Sequence, residues 1–187
     1  MSELKRFRRK QILREAEGYL DLVTACGDEL VLCNQVRDRL AQRAIETLTR
    51  LDASSQKRVE TLYLHGQALR IMEQHGPAID MLNKASEMDH NNIHVWLALG
   101  WCHKRTGRLD KAIESLEEAL QVDDQQAIVH YNLACYWSLA KNVKWAIDYL
   151  ERAFELDPHY RDLVAQEHDF DPIRRHPRFQ ELLSVIV

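Results

Sequence analysis

Histidine and cysteine are the residues of this chain that could bind a metal ion or take part in catalysis. The 187 residues include nine histidines and four cysteines. Two of the histidines lie beside two aspartates near the C-terminus, in a group made of His168, Asp169, Asp171 and His176. Their spacing fits no zinc-binding pattern, and Asp171 directly before Pro172 is typical of a helix start. The sequence therefore predicts no metal site and no cofactor.

The cysteines do not suggest a reactive site either. They contain no CxxC pair and follow no regular spacing, so we interpret them as reduced intracellular thiols: Cys26, Cys33, Cys102 and Cys135. No histidine or aspartate stands at a spacing from Cys135 that is typical of nucleophilic catalysis. The chain also lacks a glycine-rich phosphate loop and a GxSxG motif. These observations predict that the protein is not an enzyme and has no small-molecule substrate.

Basic side chains are concentrated at the start of the chain, which carries Lys5, Arg6, Arg8, Arg9, Lys10 and Arg14. Such a cluster could contact the phosphates of nucleic acid or of anionic lipid. Only Phe7 offers a ring for stacking on bases, and the whole chain has a net charge of −4. A solvated helix face is the favoured interpretation, and weak binding of anions or nucleic acid is kept as an alternative function. No apolar run follows that would predict a signal peptide or a membrane span.

A pattern of small and large residues occurs three times with a period of 34 residues. In the middle copy its positions are Trp96, Leu99, Gly100, His103, Gly107, Ala112, Leu116 and Ala119. Repetition at such a period indicates a repeat architecture, in which neighbouring units bury their apolar faces by stacking. Three histidines fall on packing positions of the pattern, so we expect core or half-buried side chains rather than ligands at His65, His103 and His130.

The middle copy resembles the tetratricopeptide repeat (TPR), a unit of two helices, through the spacing Trp96-x-x-Leu99-Gly100-x-x-His103 and through Ala112, Leu116 and Ala119. It departs from the family pattern at His103, where tyrosine is usual, and at Asp124, where proline is usual. The following copy keeps Pro158 but has His130 at the tryptophan position. The resemblance covers residues 59–160 and is weaker outside them.

The resemblance implies an all-α fold, an α-solenoid of stacked antiparallel helix pairs that forms a TPR superhelix with a C-terminal helical cap. We expect a single TPR domain over residues 1–187. It contains a degenerate first repeat with an insertion, three regular repeats and the cap, which correspond to residues 1–58, 59–92, 93–126, 127–160 and 161–187. A bulky side chain in place of Gly100 is expected to open two helix interfaces at once.

Apolar periodicity predicts a helix over residues 2–24 and its partner over 34–51, separated by an insertion around residues 25–40 that forms a loop or lengthens either helix. The regular pairs are predicted at 59–72 with 77–88, 93–106 with 109–122, and 127–140 with 143–156. Helix starts are predicted at Pro77, Pro172 and Pro177. The ending, which begins at Asp169 and carries an apolar stripe through Phe179, is similar to that of many small bacterial proteins of the family.

In the family, the first helix of each pair lines a concave surface with the face turned away from the packing residues. The resemblance therefore gives these candidate partner-binding residues: Tyr63, Leu64, Gln67, Arg70, Leu97, Trp101, Lys104, Arg105, Tyr131, Asn132 and Cys135. Aromatic residues and arginine are enriched in binding hot spots, and the cations favour a partner that carries carboxylates. Replacing Tyr63, Trp101 and Tyr131 by alanine is expected to preserve helix content and remove partner binding.

Chaperone-binding members of the family hold a peptide carboxylate with lysine, asparagine and arginine side chains on three repeats. Only Asn132 matches that pattern here, because Leu97 and Trp101 replace the polar residues of the preceding repeat. We therefore expect a cytoplasmic scaffold or adaptor that binds a peptide or a helix of another protein, and nucleic acid is not favoured as a partner. A second alternative is a homo-oligomeric assembly module, suggested by the apolar stretch Leu30–Cys33.

Overall fold

The computed structural model describes residues 3–27 and 34–184. Over these residues the chain forms eleven α-helices and one 3-10 turn, and it contains no strand. The chain divides into two compact units between Asn91 and Asn92. This division lies at the predicted end of the repeat over residues 59–92, while the single-domain organisation over residues 1–187 stays a prediction.

Five helices form the first unit: α1 Glu3–Gly27, α2 Asn34–Leu48, α3 Ala53–Gln56, α4 Val59–Ile71 and α5 His75–Met88. α1 pairs with α2, α4 pairs with α5, and α4 also packs on both α2 and α1. The described part of the insertion lengthens α1 beyond its predicted end, to Gly27. Residues 28–33 are not described, so the apolar stretch Leu30–Cys33 lies outside the described residues.

Small side chains allow the helices of the first unit to approach closely. Ala16 of α1, Ala41 and Ala44 of α2 and Ala68 of α4 are completely buried in one apolar cluster. Gly66 of α4 belongs to the contact with α5, where a Cβ atom would collide with the Leu82 side chain. The predicted ladder of small residues therefore forms the packing surface between helices.

Two local predictions in the first unit need correction. The gap left between the helices predicted over residues 34–51 and 59–72 contains α3, a single turn that begins after Asp52, whose carboxylate accepts a hydrogen bond from the Ser55 N–H at 2.9 Å. α5 begins at His75 rather than at Pro77. Proline is tolerated in the first turn of a helix because the donors there have no partner within the helix, so Pro77 does not have to be the first helical residue.

The second unit contains α6 Ile93–Arg105, α7 Leu109–Val122, α8 Ala127–Leu139, α9 Val143–Leu156, α10 Tyr160–Val164, a 3-10 turn His168–Phe170 and α11 Pro177–Ser184. α6 pairs with α7, α8 pairs with α9, and α7 packs on α8. All four helices of these pairs are confirmed, with the observed ends within one residue of the predicted ones. The fold class is all-α, with the stacked antiparallel helix pairs of an α-solenoid protein.

The first helix of each regular pair ends in the same way. Glu73, Gly107 and Lys141 follow α4, α6 and α8 and have φ angles of 61°, 74° and 58°. In each case the next residue donates its N–H to a carbonyl oxygen inside the helix, and one example is Arg108 to His103 at 2.9 Å. This is the Schellman arrangement, which satisfies the last carbonyls of a helix and reverses the chain.

The C-terminal cap differs from its prediction in one respect. α11 begins at Pro177 as predicted, but no helix begins at Pro172, because the residues around it form turns. These turns bury Phe170 and Ile173 in the core of the second unit together with Phe179. Among the described residues, no helix combines the length and the apolar character needed to cross a membrane.

Candidate partner-binding face

In the first unit, three of the predicted residues form a polar stripe along α4. Tyr63, Gln67 and Arg70 are spaced so that they lie on one side of the helix. The Arg70 Nε donates to the Gln67 Oε1 at 2.7 Å. Burial raises the pKa of the Tyr63 hydroxyl, and its hydrogen bond with Gln67 opposes that effect. Tyr63 also packs on the apolar cluster of this unit, so the stripe is held by the core as well as by contacts along α4.

Leu64 does not belong to this stripe. Its side chain is buried in the cluster that contains Ala16 and Ala44, so it serves the packing of α4 against α1 and α2. The physical reason is the helical period, which turns the residue directly after Tyr63 by about 100° around the axis. We therefore correct the prediction that Leu64 contacts a partner.

In the second unit, α6 carries a cation–π pair formed by Trp101 and Arg105. The Arg105 guanidinium lies 5.6 Å from the centre of the Trp101 ring, and Arg105 is exposed. Leu97, one turn before Trp101, is half-buried and packs on the apolar core of this unit. A guanidinium over an indole is a favourable cation–π arrangement that also leaves its N–H groups free to bind anions.

The equivalent side of α8 is covered by the chain itself. Tyr131 is 5% exposed and Cys135 is 2% exposed. Tyr131 meets the ring of Phe170 edge-on at 5.8 Å and lies 4.9 Å from the ring of Tyr160. The Ser138 Oγ donates to the Asp169 carbonyl oxygen at 2.7 Å. The prediction that Tyr131 and Cys135 contact a partner is therefore corrected, because the 3-10 turn occupies the surface they would offer.

Lys104 is also used within the chain. Its ammonium forms an ion pair with the Asp169 carboxylate and lies 5.6 Å from the centre of the Tyr136 ring. The prediction that Lys104 contacts a partner is therefore corrected, because the Asp169 carboxylate of the same unit already neutralises its charge. Asn132 remains partly exposed on α8.

One group of possible metal ligands forms only in the folded chain. The Cys135 Sγ and carboxylate oxygens of Glu167 and Asp169 lie within 4.8 Å of one another. Burial raises the pKa of the Cys135 thiol well above its usual value, which keeps it protonated and weak as a ligand. Asp169 is already neutralised by Lys104. The group is therefore explained by packing and by the ion pair.

The three histidines on packing positions have the burial that the sequence predicts. His103 and His130 are buried, and His65 is half-buried. The His130 Nε2 lies 2.8 Å from the Asp124 carbonyl oxygen. Burial lowers the pKa of His65 and of His103, and for His103 the nearby Arg108 and Lys111 lower it further. These side chains therefore serve packing and are not assigned to a reactive site.

The cover on α8 was missed because its contacts join residues that are far apart in the sequence. A signal was nevertheless present in α8, whose sequence from Ala127 to Leu139 is apolar on almost every side. A helix that is apolar all round is buried all round. This pattern predicts that something must cover the second side of α8, although it does not identify the 3-10 turn.

Comparisons with known proteins agree with the repeat. Residues 69–134 match a family model described as tetratricopeptide repeat. Anaphase-promoting complex subunit 3 of Dictyostelium discoideum is 36% identical over 55 residues, which make up 29% of this chain. The match spans only 6% of the length of that relative.

Solved structures show the same fold at low sequence identity. A crystal structure of MamA has a TM-score of 0.61 at 21% identity and covers 82% of this chain and 87% of that one. A crystal structure of YrrB, described as a TPR protein with an unusual peptide-binding site, has a TM-score of 0.61 at 22% identity, covering 71% and 70%. Residues 69–134 thus match the tetratricopeptide repeat, and the pattern that they carry recurs in α4 to α9.

Proposed function

We propose that this protein is a scaffold or adaptor that binds a peptide or a helix of a partner protein on the first helix of a repeat. The observation that supports this function most directly is the way the 3-10 turn lies on α8. The Asp169 carboxylate forms an ion pair with Lys104, and the Asp169 carbonyl oxygen accepts a hydrogen bond from Ser138. Phe170 packs on Tyr131. The first-helix side of a repeat therefore accepts a peptide segment in this chain.

The proposed contact residues are those that the chain leaves accessible, described separately for each unit. In the first unit they are Tyr63, Gln67 and Arg70 on α4. In the second unit they are Leu97, Trp101 and Arg105 on α6, with Asn132 at the edge of α8. The covered surface of α8 is not included, because partner binding there would require displacing Phe170 from the core.

The proposed partner carries carboxylates next to an apolar or aromatic side chain. Arg105 over Trp101 offers a cation and a ring within one helical turn. The same combination, a carboxylate followed by an aromatic ring, is what Asp169 and Phe170 place on the neighbouring helix. We propose a cytoplasmic location for this interaction and no catalytic activity.

The triple-alanine variant suggested by the sequence is not a clean test of this function. Tyr131 is buried, and removing a large buried ring lowers the free energy of unfolding by about 3–5 kcal/mol. A loss of partner binding could then reflect unfolding rather than a lost contact. The expectation that the triple variant keeps its helix content is therefore corrected.

A cleaner experiment reverses one exposed charge. Proteins captured from a native lysate by the full chain are compared with those captured by Arg105→Glu and by Trp101→Ala. We expect both variants to lose the same partner, with unchanged circular dichroism. Trp145→Ala is the matched control, because Trp145 is 44% exposed on α9, away from α6. Capture that persists in both α6 variants, or that is lost only in Trp145→Ala, would contradict the assignment to α6.

A further inference from the structure

The beginning of α1 carries the two most exposed large apolar side chains of the described residues. Leu4 is 77% exposed and Phe7 is 61% exposed. Their spacing of three residues places them next to each other on one side of the helix. The residues of α1 that pack into the core, Ile12, Ala16 and Leu20, lie largely on the other side. Leu4 and Phe7 therefore point away from the first unit.

Exposed cations flank this apolar pair on both sides. Helical geometry places Arg8 along one side of it and Lys10 and Arg14 along the other. Within the described part of the chain, these three side chains form no ion pair. Arg9 behaves differently, because it turns inward and pairs with Glu60 at 2.8 Å. Three exposed cations of α1 therefore surround Leu4 and Phe7.

An apolar centre with a cationic rim fits a particular type of surface. In an anionic membrane, apolar side chains enter the boundary between headgroups and acyl chains, and lysine and arginine contact the headgroup phosphates. A nucleic-acid backbone matches the cations but provides no apolar layer for Leu4, and one phenylalanine is a small stacking platform. The apolar pair thus favours lipid over nucleic acid.

We propose that the beginning of α1 is a peripheral docking site for anionic lipid surfaces. Leu4 and Phe7 enter the headgroup boundary, and the surrounding lysines and arginines bind the negative headgroups. α1 stays folded on α2 and α4 through its core residues and does not span the bilayer. This site lies outside the proposed partner-binding residues, so membrane docking and partner binding can be tested separately.

The test uses the full chain and vesicles of phosphatidylcholine with or without phosphatidylserine. We expect sedimentation with the anionic vesicles only, and weaker binding as salt is raised, because exposed charges are screened. Combining Leu4→Ala with Phe7→Ala should lower the partition coefficient by about tenfold or more. Leu22→Ala is the matched control, because Leu22 is 51% exposed on the same helix but lies outside the cationic rim.

Three outcomes would overturn the proposal. The first is equal binding to vesicles with and without phosphatidylserine. The second is unchanged vesicle binding by the Leu4→Ala, Phe7→Ala variant when its circular dichroism matches that of the parent chain. The third is salt-dependent binding to an RNA oligonucleotide without any binding to anionic vesicles, which would assign the cations to nucleic acid. Weaker vesicle binding by an Arg8→Gln, Lys10→Gln variant would support the cationic rim.

Discussion

Gly66 and Gly100 occupy the same position in two consecutive repeats, but the space around them differs. A Cβ atom on Gly66 would lie 2.8 Å from the Leu82 Cγ, whereas one on Gly100 would lie 3.1 Å from the Leu116 Cγ. The three atoms nearest to a Cβ on Gly100 all belong to α7. A Cβ there therefore first meets the contact between α6 and α7, and the expectation that a bulky side chain opens two interfaces stays a prediction.

Replacing these glycines by alanine should distinguish the destabilising effect of a steric collision from the stabilising effect of a higher helix propensity. Gly66→Ala is expected to lower the free energy of unfolding by about 1 kcal/mol, because overpacking outweighs the gain in helix propensity. Gly100→Ala should be nearly neutral. Gly18→Ala is the control, since a Cβ there meets nothing within 4 Å, and it should be stabilising by about 0.5–1 kcal/mol. Urea unfolding followed by circular dichroism measures all three, and equal effects at the three glycines would contradict the distances.

His103 connects the stability of the second unit to pH. The side chain is buried, its Nδ1 has no hydrogen-bond partner, and its pKa is lowered mainly by burial. The unfolded chain, whose histidine has an ordinary pKa of about 6.5, therefore binds more protons in mildly acidic solution. Protonation of this side chain favours unfolding.

The expected result is a loss of stability on acidification. The free energy of unfolding should fall as the pH drops from about 7 to about 5, and His103→Tyr should reduce that slope because tyrosine stays neutral over this range. Urea midpoints from tryptophan fluorescence at several pH values provide the measurement. His94→Gln, at an exposed position of the same helix, is the control. A slope that is the same in the parent and in His103→Tyr would exclude His103 as the titrating group.

At the scale of the elements, the ends of α4, α6 and α8 show how little sequence identity a repeat needs. All three helices end in a residue with a positive φ angle, but only Gly107 is suited to it by lacking a Cβ. Glu73 and Lys141 adopt the same conformation at a cost of about 1–2 kcal/mol per residue. Packing of the helix pairs therefore requires this turn even where the residue with the positive φ angle is not glycine.

This strain can be relieved at one position. Lys141→Gly should raise the free energy of unfolding by about 1 kcal/mol, and Gly107→Ala should lower it by a similar amount. Lys141 is the better position because Glu73 also forms an ion pair with Arg37, which a glycine would remove. Thermal unfolding of the two variants measures the difference. Destabilisation by Lys141→Gly would show that the lysine side chain contributes a contact that outweighs the backbone strain.

The helices could be predicted from the sequence because each is encoded locally. The same small and large residues recur with a period of 34 residues, and the bounds predicted from this pattern for α7 and α9 match the observed ones. The segment that covers α8 could not be identified from the sequence, since the hydrogen bond from Ser138 to Asp169 joins elements with no repeated spacing. For the same reason, the accessible part of the binding face was overestimated at Tyr131 and Cys135.

At the scale of the whole molecule, the two units differ in what they contain. All four tryptophans, Trp96, Trp101, Trp137 and Trp145, lie in the second unit. Two of them stack, since the rings of Trp137 and Trp145 are 6.3 Å apart. The first unit contains tyrosine but no tryptophan. Tryptophan fluorescence therefore reports on the second unit, whereas far-ultraviolet circular dichroism reports on the helices of both.

Comparing the two signals tests whether the units unfold together. Because the chain divides into two compact units, we expect Gly66→Ala to shift the urea transition seen by circular dichroism more than the one seen by tryptophan fluorescence. Gly66 lies in the unit without tryptophan. Identical shifts in both signals would show that residues 1–187 unfold as one cooperative unit.

The cap limits how a protein of this design can be lengthened. α10 and α11 lie against α9, and Phe179 is completely buried beside them, so the surface on which another helix pair would stack is already occupied. Another helix pair could stack on α9 only if α10 and α11 were displaced. Longer relatives of this chain should therefore arise by in-frame insertion of whole 34-residue segments upstream of Tyr160, with α10 and α11 retained on the last helix pair.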